Sequence, residues 1–296
     1  MKALITGGTG FVGRHLAARI PESIIGGRNV KKIHHLFGNR EARQWDGSKN
    51  TDPSFLDDVD TVFHLAGESI FQGRWNEEKK ERIRASRIEG TRHLVDAIAK
   101  AENRPTTLIC SSAIGFYGEK GEETITEKDP AGNDFLAQVC MDWEKEAMRA
   151  EKYGVRVVSI RTGVVLGADG GALAQMLLPF KLGLGGRLGS GHQYMSWIHI
   201  QDLTGIMIHA MKNTALQGPV NAVAPTPITN REFTRALAHA LHRPALLPVP
   251  GFILQAALGE FATVLLSSQR VVPDVLKQTD FNFTFPDIGS ALRDLV

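Results

Sequence analysis

The feature that most constrains this chain is a glycine turn close to its start, Gly7-Gly8-Thr9-Gly10-Phe11-Val12-Gly13. An apolar run, Ala3-Leu4-Ile5, precedes it and reads as a buried strand. Behind it, Arg14-His15-Leu16-Ala17-Ala18-Arg19-Ile20 places apolar residues at 16, 17 and 20, on one face of a helix. Glycines let backbone turn sharply and come close to a ligand, and a helix N-terminus offers free N–H groups and the positive end of a dipole. Strand, glycine turn and helix in that order are what a dinucleotide pyrophosphate requires. The expected contacts are Gly7, Thr9, Gly10, Phe11, Val12 and Gly13.

The rest of the composition narrows the class. A chain of 296 residues, 43% hydrophobic and 22% charged, can bury a sizeable core as one large α/β unit or two joined lobes. Its net charge of +2 gives no reason to expect nucleic acid or an anionic membrane as partner. Two cysteines, Cys110 and Cys140, cannot make a disulfide framework, so a reducing, cytoplasmic setting is the expectation. No apolar run approaches the roughly 18–20 residues of a membrane span. A signal peptide would overlap the glycine turn, so a mature protein starting at Met1 is expected.

After the first helix, Ser23-Ile24-Ile25-Gly26-Gly27 is strand-like and leads into Arg28-Asn29-Val30-Lys31-Lys32. An NAD site carries an acid near the end of the second strand, for the adenosine 2′-OH. Here Arg28 stands there, and a guanidinium matches a 2′-phosphate in charge and geometry, so the expected cofactor is NADP. Residues 42–46 are read as a third strand that sets Asp46 near the adenine. Residues 59–67 are a fourth, ending His64-Leu65-Ala66-Gly67. His64 lies in an apolar run and is expected to be a packed core residue. Glu68 follows at the carboxyl end of that strand, the edge where open α/β sheets bind ligands, and is a candidate substrate contact. A long helix runs from Asn76 to about Lys100. The next strand, 107–113, ends in Ser111-Ser112-Ala113, followed by Ile114-Gly115-Phe116-Tyr117-Gly118. Nine glycines between 163 and 191 mark a loop suited to a pocket wall, with Arg187 as its candidate anion contact. Asp202 suits the N-cap of a helix over 203–211.

The Gly7-x-x-Gly10-x-x-Gly13 spacing resembles that of the short-chain dehydrogenase/reductase superfamily. So do His-Leu-Ala-Gly at 64–67, the Ser-Ser…Tyr-Gly run at 111–118, and Trp197-Ile198-His199-Ile200-Gln201-Asp202. Together with Trp75-Asn76-Glu77, Asp169-Gly170-Gly171, residues 182–186, Asn221-Ala222-Val223-Ala224-Pro225 and Arg270-Val271-Val272-Pro273, they resemble one atypical, extended branch, the epimerase family of YfcH type. The resemblance implies a Rossmann-like, doubly wound parallel sheet over 1–164, rejoined by 197–223. A smaller C-terminal substrate lobe would comprise 165–196 and 224–296.

It also implies roles. Leu65, Ala66 and Gly67 would pass close to the cofactor ribose. Ser111 or Ser112 would hold the substrate oxygen, with Ser112 slightly preferred as the catalytic residue and Ser111 left at the cofactor. His199 would pack beneath the pocket or face it, and is a candidate substrate contact. The superfamily's proton relay, a tyrosine four residues before a lysine, would fall at Leu136 and Cys140 and is absent, so Tyr117 or a bound water would move the proton, the other reading of Tyr117 being a packed or phosphate-bonding phenol. The expected activity is NADP-linked oxidoreductase or epimerase chemistry, hydride transfer at a hydroxyl-bearing carbon of a small molecule. The alternative is a non-catalytic NADP-binding sensor or partner-binding protein, some members of the branch carrying a cell-division-inhibitor label. No metal site is expected, and helices 77–100 and 134–150 would support a homodimer.

Overall fold

A computed structural model of the chain describes residues 2–71 and 73–296. The first half alternates strand and helix: β1 (Ala3–Thr6), α1 (Phe11–Arg19), β2 (Ile24–Gly27), α2 (Val30–Phe37), β3 (Ala42–Gln44), β4 (Thr61–His64), α3 (Glu77–Lys100) and β5 (Thr107–Ala113). A 3-10 turn at Ile114–Tyr117, β6 (Thr124–Ile125), α4 (Phe135–Met148), β7 (Arg156–Thr162), β8 (Val164–Gly167) and α5 (Gly171–Lys181) follow. Next come β9 (Tyr194–Met195), β10 (Trp197–His199), α6 (Ile200–Lys212), β11 (Gly218–Ala222), β12 (Ile228–Thr229) and α7 (Asn230–Ala240). The chain closes with α8 (Gly251–Leu258), α9 (Phe261–Leu266), β13 (Arg270–Val271), α10 (Asp274–Lys277) and α11 (Ile288–Leu295).

Seven strands form one parallel sheet in the order β11-β7-β5-β4-β1-β2-β3. The order reverses between β1 and β4, and the crevice at their carboxyl ends is where such sheets take ligands. Alternation along β1 explains the two layers. Ala3 and Ile5 pack with Leu16 and Ala17 of α1, Ile33 of α2 and Leu203 and Met207 of α6. Leu4 faces the other way, toward Leu94, Val95 and Ile98 of α3 and Trp143 of α4. Each fully buried leucine or isoleucine here contributes about 1.5–3 kcal/mol. A smaller lobe has its own core from α5, α7 and α11, built on Leu173, Phe233, Leu237 and Leu292.

Helix starts follow the side-chain caps: Asn29, Asn76 and Asp134 each accept from a backbone N–H in the first turn, and Thr229 with Glu232 makes a capping box. Three boundaries differ from those read in the sequence. Residues 30–37 form a helix that the basic run 28–32 does not announce, because Asn29 caps them and Ile33 anchors them. The run 155–167 breaks at Gly163, whose Cα faces the Ser196 carbonyl and the Val223 side chain too closely for a Cβ, so β8 leaves the main sheet and pairs with β10. His199, not Asp202, caps α6, because its Nδ1 accepts from Gln201 N. Asp202 accepts instead from Thr284 N and Phe285 N, at 2.8 and 2.9 Å, and fastens the C-terminal segment to the core.

Candidate functional site

The glycine turn packs tightly against the end of β4. Gly7 has φ +71°, and a Cβ there would lie 2.8 Å from Ala66 N and from the Leu65 carbonyl carbon. Gly13 closes the other side, where a Cβ would run into the Gly7 oxygen and Gly8 Cα. The turn is held by Gly10 N donating to Gly7 O at 2.9 Å. Gly10 is exposed and starts α1 with no side-chain cap, so the first-turn N–H groups stay available to an anion. Thr9 and Val12 are half-buried beside it. Phe11 turns its ring away from that end. A Cβ on Gly167 or Gly171 would meet the ring at 2.5 and 2.8 Å, so the loop after β8 is moulded to it. Arg14 pairs with Asp169 at 2.9 Å and His15 at 3.1 Å, clamping the same loop to α1.

Arg28 leaves the end of β2 exposed, without a hydrogen bond or ion pair among the described residues. Its charge reaches the two carboxylates across the crevice. Asp46 is held below its ordinary pKa first by the Ser48 N–H and also by Lys49 and Arg28. Glu68 is held down mainly by its 2.6 Å contact with Lys79, with Arg82 and Arg28 adding. Asp46 thus caps its own turn, and Glu68 is tied to the base of α3. Leu65 and Ala66 are half-buried and Gly67 is exposed, with the Arg87 guanidinium 3.4 Å from where a Gly67 Cβ would sit. His64 is a core residue, its ring spanning Thr6 Oγ at 2.8 Å and Thr91 Oγ at 3.0 Å.

At the end of β5 the two serines face opposite ways. Ser112 is buried and donates to Glu144 of α4 at 2.6 Å. Ser111 is half-buried on the other face, and its hydroxyl has no protein partner among the described residues. Tyr117 is 0% exposed. Its hydroxyl donates to Asn221 Oδ1 at 2.7 Å and accepts from Arg161 at 2.9 Å. Burial pushes its pKa up to about 12, against the pull of Arg161. Arg161 in turn grips both oxygens of Glu144 at 2.9 and 2.8 Å and stacks 3.4 Å from the Phe116 ring centre. Burial opposes its charge, but the Glu144 pair outweighs it and the pKa ends above the ordinary value. Ser112, Glu144, Arg161, Tyr117 and Asn221 therefore form one interior network that ties β5, α4, β7 and β11 together. This placement gives the hydroxyls of both Tyr117 and Ser112 partners inside the protein. The signal was in the sequence: a lone arginine in the apolar run 157–165 must be paired when buried.

Two further residues fall elsewhere. His199 is fully buried, its ring 3.9 Å from that of Phe285 and its Nε2 3.2 Å from Asp294, so it braces α11 rather than facing the crevice. Arg187 lines a cavity with Arg231, Thr234 and Arg235 of α7, apart from the residues at the glycine turn. Leu136 packs on Gly115 and Cys140 is buried. No group of side chains among the described residues could hold a metal ion. Across the molecule, Trp75 in the loop after β4 packs on Phe135 of α4 and on Phe261 of α9, and Lys80 pairs with Glu260 at 2.6 Å. These contacts join the two halves.

Comparison with known proteins agrees with this geometry. Residues 3–223 match the NAD dependent epimerase/dehydratase family, and 249–295 match a domain of unknown function, DUF1731. The chain is 38% identical to the epimerase family protein YfhF of Bacillus subtilis, over 100% of this chain and 98% of the relative. It is 38% identical to human epimerase family protein SDR39U1 over the full length of both. A crystal structure of human SDR39U1 (isoform 2) with NADPH superposes with a TM-score of 0.90 at 35% identity, covering 100% of this chain and 99% of that one. UDP-glucuronic acid 4-epimerase from Bacillus cereus shares the fold, with a TM-score of 0.79 at 18% identity over 100% and 98% of the two chains. The chain belongs to the NAD-dependent epimerase/dehydratase family.

Proposed function

We propose that the chain binds NADPH along the carboxyl edge of its sheet and uses it for hydride transfer at a hydroxyl-bearing carbon of a small molecule. The observation that carries the cofactor half is the fit of three features around one crevice: a glycine turn with no room for side chains, an uncapped helix start, and an unpaired Arg28. The NADPH in the human relative supports the same choice. In this reading the N–H groups of Phe11, Val12 and Gly13 take the pyrophosphate, and Arg28 takes the 2′-phosphate. Backbone at Leu65–Gly67 borders the ribose. NADPH, when bound, would supply the hydride to a carbonyl carbon, which with one proton becomes the hydroxyl-bearing carbon, and NADP+ would take that hydride back in the reverse direction. Ser111, with a free hydroxyl on the open face of β5, orients the substrate oxygen in place of Ser112. Tyr117 and Ser112 hold the strand ends rigid, which leaves the accompanying proton to water at the exposed edge.

One observation favours a second reading, a non-catalytic NADPH-binding protein that presents its smaller lobe to a partner. The hydroxyls of Tyr117 and Ser112 are both engaged internally, and Leu136 and Cys140 stand where a proton relay would be. A panel of aldehydes, ketones and sugar nucleotides, each mixed with protein-bound NADPH, separates the two. Hydride transfer predicts loss of NADPH fluorescence with at least one compound, slowed roughly 100-fold by Ser111→Ala, the usual effect of removing one oriented donor. Stable fluorescence with every compound would select the second reading.

A further inference from the structure

Of the eleven large apolar side chains exposed among the described residues, six fall on two segments. Leu182 and Leu184 follow α5, while Leu246 (82% exposed), Leu247, Phe252 (72%) and Ile253 lie on the strap into α8 and on its first turn. The two segments adjoin. Arg243 Nε donates to the Lys181 carbonyl at 3.2 Å, the Leu247 carbonyl packs against Gly186, and Val249 N donates to Arg187 O at 2.8 Å. Cations border this apolar face. One cavity of about 290 Å³ is lined by Arg187, Arg231, Arg235 and Leu246. Its neighbour, of about 450 Å³, shares Arg235 and Leu246 and adds His239, His242 and Arg243.

None of these four arginines makes a close ion pair with a carboxylate among the described residues, although Arg235 lies near enough to Glu232 to help hold its pKa down. Arg187 and Arg231 are instead steered by the Ser190 carbonyl, at 3.0 and 3.5 Å, and by His192. No Asp or Glu occurs from 170 to 201 or from 233 to 259. The whole-chain charge of +2, which gave no reason to expect an anionic surface, averages over this local excess.

We propose that this face docks the protein on an anionic lipid surface, leucines and Phe252 entering the acyl boundary and the arginines meeting lipid phosphates. Exposed apolar side chains beside cations in local excess suit that medium, since each side of the pairing gains there. A second copy of the chain would set arginine against arginine across a two-fold axis, which the charge opposes.

Flotation of the whole protein with vesicles of phosphatidylcholine, and of phosphatidylcholine mixed equally with phosphatidylserine, tests this. Recovery is expected only with phosphatidylserine, falling as salt is raised. At about fivefold per arginine, Arg231→Gln with Arg235→Gln should lower partitioning about 25-fold. Leu246→Ser with Phe252→Ser should abolish it, while unchanged NADPH titration shows that both variants are folded. Equal recovery with the two vesicles, no flotation, or variants that float like wild type would each overturn the proposal. So would a dimer that Phe252→Ser dissociates, or an acidic leucine-containing peptide that binds where vesicles do not.

Discussion

Tyr117→Phe separates a structural phenol from a catalytic one. The hydroxyl it removes bridges Asn221 at 2.7 Å and Arg161 at 2.9 Å in a region closed to water. Its loss leaves a buried amide oxygen and one guanidinium N–H without that partner, and an orphaned buried polar group costs about 1–3 kcal/mol. Arg161 keeps both contacts with Glu144, so the lower half of the range applies to it. The sum is about 2–5 kcal/mol. For a chain of this size about 2 °C of melting temperature accompanies each kcal/mol, so calorimetry should find a drop of about 4–10 °C. NADPH affinity should stay within about twofold, because no atom of the phenol reaches the glycine turn. An unchanged melting temperature together with lost turnover would refute the reasoning and return Tyr117 to the chemistry.

Two other outcomes follow from the same coordinates. Burial holds the His64 pKa down to about 4, against about 6.5 when unfolded, so the unfolded chain binds the proton first as pH falls. The stability this neutral ring contributes is fully present above about pH 6.5, and about 3 kcal/mol of it is lost by about pH 4. Urea unfolding across that window should show the slope, and a stability independent of pH there would contradict the burial of His64. Gly13→Val forces a side chain into the Gly7 carbonyl, so it should both destabilise the fold by more than about 1 kcal/mol and remove NADPH binding. Wild-type affinity in that variant, measured by fluorescence, would mean the turn is not the cofactor cradle.

Much of the cofactor half was legible because local chemistry decides it. Gly7 and Gly13 admit one backbone path, and Asn76 and Asp134 announce their helices by capping them. Where the structure adds what the sequence did not announce, the cause is shared, tertiary partnership invisible along the chain. Ser111 and Ser112 are neighbours in sequence, but strand alternation sends them to opposite faces, and Glu144, 32 residues away, claims the second. Tyr117 reads as a loop phenol until the 3-10 turn at 114–117 rolls it inward onto Asn221, 104 residues away. The glycine-rich passage hid α5, since Gly171 opens that helix in a left-handed conformation no pattern of apolar residues marks. His199 and Asp202 look like pocket and cap residues, yet both are spent on the C-terminal segment, through Asp294 and the 284–285 backbone.

The central claim, that Arg28 makes this an NADPH site, has a direct test: fluorescence titration of NADPH and NADH against wild type and Arg28→Ala. Losing a charge-assisted phosphate contact costs roughly 1.5–3 kcal/mol, about 10–150-fold in affinity. The account predicts that wild type prefers NADPH by that margin and that the variant binds the two nucleotides alike, with NADH affinity unchanged. Equal binding of NADPH and NADH by wild type, or a preference for NADPH that survives in the variant, would contradict it.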